Sequence, residues 1–168
     1  CFGDGESARV PDADTLDVTS TITWEVWGNF YITAPSTDER EIFTKSGNTW
    51  VISLSGSGDA VGTMRIYTND GTGSTARFFT VPNTFSCHTF VLESGVISQY
   101  TDGTYIGTGT GGTVKVPQAH TSVLTIGANS GYGWPFAGAI GSCKLYNTAL
   151  DATDVLTNFN AQKALYGL

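Results

Sequence analysis

The sequence predicts an all-β sandwich or barrel with one short helix at its C-terminal end. Three observations carry that prediction. Apolar residues alternate over short runs, turn-forming residues separate those runs, and the period becomes helical after Asp151. The composition agrees: of 168 residues 40% are hydrophobic, only 14% are charged, and 21 are glycine. With so few charges the surface must be largely uncharged and polar. β-branched threonine fits a pleated strand and glycine permits turn dihedrals, a profile that suits a helical bundle poorly.

Residues 21–32 (TITWEVWGNFYI) open the series, with Ile22, Trp24 and Val26 on one face and Thr23, Glu25 and Trp27 on the other. Trp24 belongs to the core. Trp27 and Trp50 stay open between the core and a partly exposed sheet face. Further strands are predicted at 41–45, 50–54, 63–68, 77–81, 86–93, 96–101, 105–106, 122–126 and 139–146. Asn69-Asp70-Gly71 and Asp102-Gly103 carry hairpin chemistry, because both supply residues that tolerate positive φ. From Asp151 the apolar Val155, Leu156, Phe159 and Leu165 fall at helical spacing, which predicts a helix over about 151–165. Asp151 can cap it, Asp154 lies in the first turn, and Gly167 sits where it would stop. No repeat or linker divides the chain, so residues 1–168 read as one domain and the Gly107–Gly112 stretch as a loop.

Several function classes are excluded. The net charge is −7, and the eight Lys and Arg are scattered from Arg9 to Lys163, which argues against nucleic acid. No apolar stretch reaches membrane-spanning length, so no membrane insertion is expected. The chain begins at Cys1 rather than Met, which reads as a processed product or an excised domain. No Asn-x-Ser/Thr sequon occurs. Cys1, Cys87 and Cys143 are too few and too far apart for a zinc site. Their odd number leaves at least one thiol free or bonded to another chain. One internal disulfide, three inert thiols and a lipid-modified Cys1 all remain open.

Several stretches then resemble laminin G-like (concanavalin A-like, pentraxin-related) domains. Their five loose motifs fall in the right order within four segments: the opening CFGDGESARVPDADTLDVTSTITWEVW, the strand IFTKSG, the hairpin SCHTFVLESGVISQYTDGTYIG and the closing LTIGANSGYGWPFAGAIGSCKLYNTALDATDV. The tail NFNAQKALYGL also looks like the ends of such domains in bacteriophage virion proteins. The resemblance covers nearly the whole chain and implies a two-sheet antiparallel jelly roll. It places the first and last strands side by side, which makes a Cys1–Cys143 bridge plausible; a Cys1 link to a neighbouring subunit is the alternative. Two departures matter. Where the family carries Trp-His-His this chain has Ser86-Cys87-His88, and where it carries Ile-Asp-Asp, a source of structural calcium ligands, it has Ile140-Gly141-Ser142. Calcium takes six to eight oxygens. Asp4 is left as a weak candidate ligand, and no cofactor is expected.

Sugar hydrolysis on this fold needs two carboxylates about 5–9 Å apart, and the Glu-x-Asp-x-x-Glu of the glucanases that share it is absent. Glu39-Arg40-Glu41 beside a polar turn reads as a solvated strand end, and Asp12, Asp14 and Asp17 as turn chemistry. His88 and His120 form no metal or nucleophile pattern and are assigned structural roles. The segment with recognition character is Asn129–Phe136 (NSGYGWPF), where Asn129, Tyr132 and Trp134 could hold a sugar ring by an amide and two aromatic faces. Phe136 and, as an alternative, Trp134 fold back on the sandwich edge. The sequence therefore points to a non-catalytic structural, decoration or adhesion module of a virion or extracellular assembly. Its partners would be copies of itself, virion or cell-surface proteins, or glycans. A carbohydrate-binding (lectin-like) module is the alternative, and a glycan-cleaving enzyme comes third.

Overall fold

The computed structural model describes residues 7–30, 39–45, 49–54, 62–109, 113–129, 131, 135–136 and 138–168. In chain order its strands are β1 (Ala8–Val10), β2 (Ile22–Gly28), β3 (Arg40–Lys45), β4 (Trp50–Leu54), β5 (Thr63–Asn69) and β6 (Ser74–Thr80). They continue with β7 (Ser86–Glu93), β8 (Val96–Thr101), β9 (Thr104–Thr108), β10 (Leu124–Ile126) and β11 (Ile140–Tyr146). Six form one sheet in the order β1-β10-β3-β4-β5-β6, and five form a second in the order β11-β2-β7-β8-β9. Every strand pairing among the described residues is antiparallel. This is the expected jelly-roll sandwich.

The two-residue alternation decides what lies between the sheets. Ile22, Trp24 and Val26 of β2 face Trp50, Ile52 and Leu54 of β4 within one apolar core. Trp24 and Trp50 meet across the gap edge to face, ring centroids 5.7 Å apart, an arrangement the ring quadrupoles favour. Trp50 is thus a core residue. β3 breaks strict alternation: its register slips between Glu41 and Phe43, and the bulge lets both Ile42 and Phe43 reach the core.

Turn chemistry places the hairpins. Asp102 and Gly103 take φ of 50° and 76° between β8 and β9, and the unforeseen pair Ser94-Gly95 does the same between β7 and β8 with 49° and 77°. The Asp70 carboxylate gathers the Thr72 and Gly73 amides between β5 and β6. Strand β6 begins at Ser74, earlier than predicted, because Ser74, Thr75 and Ala76 give no apolar signal yet pair fully with β5. Strand β1 escaped prediction altogether: its three residues are all exposed.

Helix α1 (Ala152–Gln162) starts where Asp151 accepts from the Thr153 and Asp154 amides at 2.8 and 2.9 Å. A 3-10 turn at Lys163–Tyr166 follows and ends at left-handed Gly167. This segment lies on the outer face of the five-stranded sheet. Phe159 and Tyr166 stack on Trp27 at 5.6 and 4.7 Å, so β2 is buried on both faces. The Trp27 indole and the side chains of Lys144 and Gln162 all donate to the same buried Glu25 oxygen. Gly141, where the resemblance places a calcium-ligating Asp, makes room for this clasp: a Cβ there would stand 2.6 Å from the Tyr166 ring.

Trp24→Ala should lower stability by about 3–5 kcal/mol, read as a shifted urea midpoint. Phe159→Ala should cost less but red-shift tryptophan emission as Trp27 meets water. Equal losses without a spectral change would contradict this division of roles.

Candidate functional site

The outer face of the six-stranded sheet carries an unusual polar row. Glu41 pairs with Ser53 and Ser53 with Arg65, and all three point outward because Ile52, Leu54, Met64 and Ile66 point in. Arg65 donates to Glu39 and lies over the Tyr67 ring at 5.8 Å. The Glu39 and Arg65 side chains are 28% and 21% exposed, whereas Glu41 and Ser53 are buried behind them. Ser53 Oγ and Arg65 Nε are buried without a hydrogen-bond partner, as is Thr125 Oγ1 in the adjoining row. Buried polar atoms almost always find a partner, and these lie out of reach of bulk solvent, where an enclosed water could complete them. Glu41 is not the solvated strand end the sequence suggested. Burial first, and the Glu39 charge second, push its carboxyl up to about 7, against the pull of Thr44 and Arg65. The bulge in β3 sets its direction: alternation back from Phe43 would turn Glu41 into the core, and the slip turns it outward beside Ser53 instead.

The Asn129–Phe136 segment is tied to the same strand. Pro135 forms a parallel bridge with Glu41. The Phe136 amide donates to the Gly127 carbonyl at 2.8 Å, and the Gly127 amide to Ile42 at 2.9 Å. Asn129 accepts the Gly131 amide at 3.0 Å, an Asx turn that shapes the loop. Phe136 is buried against Phe30, as expected. Tyr132 and Trp134 lie outside the described residues. Of the three candidate ligand residues, Asn129 is therefore placed as a loop former beside β3.

A second cluster closes one end of the sandwich. Lys45 points inward from β3, wholly buried, with its ammonium 2.5 Å from Asp12 and 3.1 Å from Asp17. Burial alone raises the Asp17 carboxyl, but the His120 amide and then Lys45 bring it below its ordinary value. Asp12 and Asp17 are thus counter-ions of a buried lysine, more than the turn residues expected; Asp14 sits in a 3-10 turn. Asp4 lies outside the described residues, among which no three His, Cys, Asp or Glu side chains gather as metal ligands.

A family profile described as the concanavalin A-like lectin/glucanases superfamily (Laminin_G_3) matches residues 2–156. The chain belongs to this superfamily. No curated protein sequence matches it. Similar solved structures include the botulinum neurotoxin serotype C1 binding domain, at 13% identity and a TM-score of 0.66 over 92% of this chain and 40% of that one. A botulinum neurotoxin DC binding domain in complex with SialylT follows at 14%, 0.64, 92% and 39%. The binding domain of Paraclostridial Mosquitocidal Protein 1 gives 14%, 0.64, 95% and 42%. The chain spans about two fifths of the length of these proteins, and at such identity the likeness is one of fold.

Among the described residues of this laminin G-like domain, His88 and Cys87 are buried, and His120 and Cys143 are half-buried. His88 is enclosed in the core, with Ser86 Oγ at 2.9 Å from Nε2 and Thr101 Oγ1 at 3.3 Å from Nδ1, and burial lowers its pKa to about 4. His120 packs its Nδ1 at 2.7 Å from the Ser122 hydroxyl. Cys87 and Cys143 are free thiols, both pushed up by burial, Cys143 to about 12. The strand beside β11 is β2, while β1 belongs to the opposite sheet, so the adjacency that made a Cys1–Cys143 bridge plausible does not hold for the first described strand. Cys1 itself lies outside the described residues. The sequence reading passed over Lys45, Ser53 and Arg65. Lys45 was detectable as a lone cation ending an apolar strand, but nothing local marks Ser53.

Lys45→Met should cost about 3–5 kcal/mol, because it strands two carboxylates without their cation; a chemical-denaturation midpoint close to that of the parent would refute the pairing. Glu41 keeps its proton in the fold beyond its ordinary value of 4.5, so its contribution is complete below that value and is lost as pH rises through about 7. Neutral His88 works oppositely: its contribution is complete above 6.5 and fades as pH falls toward about 4. In melting curves from pH 4 to 9, Glu41→Gln should therefore remove the loss that Glu41 contributes between 4.5 and about 7, so that stability rises more steeply with pH over that range as the opposing His88 effect stands alone.

Proposed function

We propose that this domain is a non-catalytic extracellular binding module that holds a glycan across the outer face of its six-stranded sheet, next to the Asn129–Phe136 loop. The observation that carries the reading is the Pro135–Glu41 bridge. It joins the loop that carries the sequence's sugar-stacking candidates to the sheet face on which the partly exposed Glu39 and Arg65 side chains lie. A sugar ring needs both: an apolar face for its C–H side, and fixed donors and acceptors for its hydroxyls. The fold likeness to binding domains supports the class, since one is solved with SialylT and another belongs to a study of cell entry through two ganglioside molecules. Catalysis by the Glu39/Glu41 pair is disfavoured, because Glu39 is engaged by Arg65 and Glu41 is enclosed, so the two are not free to flank a glycosidic bond.

A second reading, surface assembly or decoration on a virion or other extracellular structure, is favoured by one feature. The edge strand β9 bears Tyr105 and Ile106 at 54% and 56% exposure and carries no charge. Such an edge is open to a neighbour's strand. The partners would then be further copies of the chain or other surface proteins.

A glycan array should show binding that weakens at least about tenfold, some 1.4 kcal/mol, in Trp134→Ala and Arg65→Ala, with circular dichroism unchanged. A blank array together with discrete oligomers in size-exclusion chromatography would replace this reading by the second.

A further inference from the structure

We infer that Lys45 and Asp12 join covalently: the lysine amine condenses with the Asp12 carboxyl to an isopeptide bond that ties the segment before β2 to β3. This modification is independent of the glycan reading. The two reactants are already in place. Lys45 Nζ stands 2.5 Å from an Asp12 oxygen, which puts the carboxyl carbon at about the 3–3.5 Å of a near-attack arrangement. Groups held in this way react as though at concentrations unattainable in solution. The amine is wholly enclosed. Its partners in register are Trp50 and Leu124, both in the core, and Phe43 lies two residues back on the same inward face. That apolar wall keeps competing water from the nitrogen. Asp12 is 28% exposed, so the water that condensation releases has a way out.

A second carboxylate on the same nitrogen supplies the proton transfers. Asp17 lies 3.1 Å from Nζ, and the His120 amide, donating to it at 3.1 Å, fixes its position. The step balances without any other reagent. The Lys45 ammonium passes one proton to Asp12, and the freed amine forms the N–C bond. Asp17 takes a second proton from the nitrogen and returns it to the departing hydroxyl as the C–O bond breaks. One water leaves, Asp17 ends as it began, and the new amide N–H can donate to it. Neither Cys87 nor Cys143 forms a disulfide. The isopeptide bond is thus a cross-link of a different kind, between residues 33 apart in the chain.

The test is the intact mass of the purified chain, denatured and with its cysteines reduced. The parent should be lighter than its sequence by one water, and trypsin should fail to cut after Lys45. Fragment spectra should show a branched peptide with Asp12 on one arm and Lys45 on the other. Asp12→Ala should carry the full mass of its own sequence and regain the cut. Asp17→Asn should lower the joined fraction at least about tenfold, with circular dichroism unchanged. Full sequence mass in the parent would overturn the inference and leave a plain ion pair. So would a lost water with Lys45 still open to trypsin, the mark of a cyclised Asp-Gly step instead. An undiminished joined fraction in Asp17→Asn would overturn the proton route through that carboxylate. The parent's own mass and digest decide the bond whether or not either variant folds.

Discussion

The contact on which the architecture depends is that of Trp24 with Trp50 between the sheets. Each comes from a central strand, β2 or β4, and the sheets are held at the spacing these rings require. Phe43 closes on the Trp50 ring from the neighbouring strand at 5.0 Å, so one indole packs against two aromatic partners. Neither Trp24 nor Trp50 has a partner for its N–H. The core accepts that cost in exchange for the large apolar area the rings remove from water.

From this contact the two outer faces diverge. Behind Trp24, the five-stranded sheet turns Trp27 and Glu25 outward, and the C-terminal segment covers both. Behind Trp50, the six-stranded sheet turns outward a polar row with unmet hydrogen-bonding capacity. The same alternation that builds the core thus distributes roles to its reverse sides, one closed by the chain itself and the other chemically unfinished. Charge follows the same division. Lys45 is taken inside by Asp12 and Asp17, Lys144 is spent on Glu25, and Arg65 stands in the polar row paired with Glu39.

Much of this was legible in the sequence. Alternation located nearly every strand because the inner faces are continuous and apolar, and Asp151 and Gly167 marked the helix because caps are local chemistry. Three kinds of feature were not legible. Edge strands such as β1 lack a buried face and hence a pattern. The bulge at Glu41 turns that carboxylate from the core to the outer face, and a bulge is a property of two strands together. The partners of Lys45 are some thirty residues distant, so their roles emerge only when β3 meets the loop before β2. Tyr132 and Trp134 were singled out on composition, and the anchoring of their loop on β3 was not foreseeable from it.

The clasp at the C-terminus also bears on the order in which the molecule comes together. Every strand of both sheets precedes residue 147, so a chain emerging from N- to C-terminus can complete its sandwich while the Trp27 indole is still bare. The rings that shelter it, Phe159 and Tyr166, arrive last. Between those moments the nascent domain presents a large aromatic surface on an otherwise finished sheet, the kind of surface that invites unwanted company.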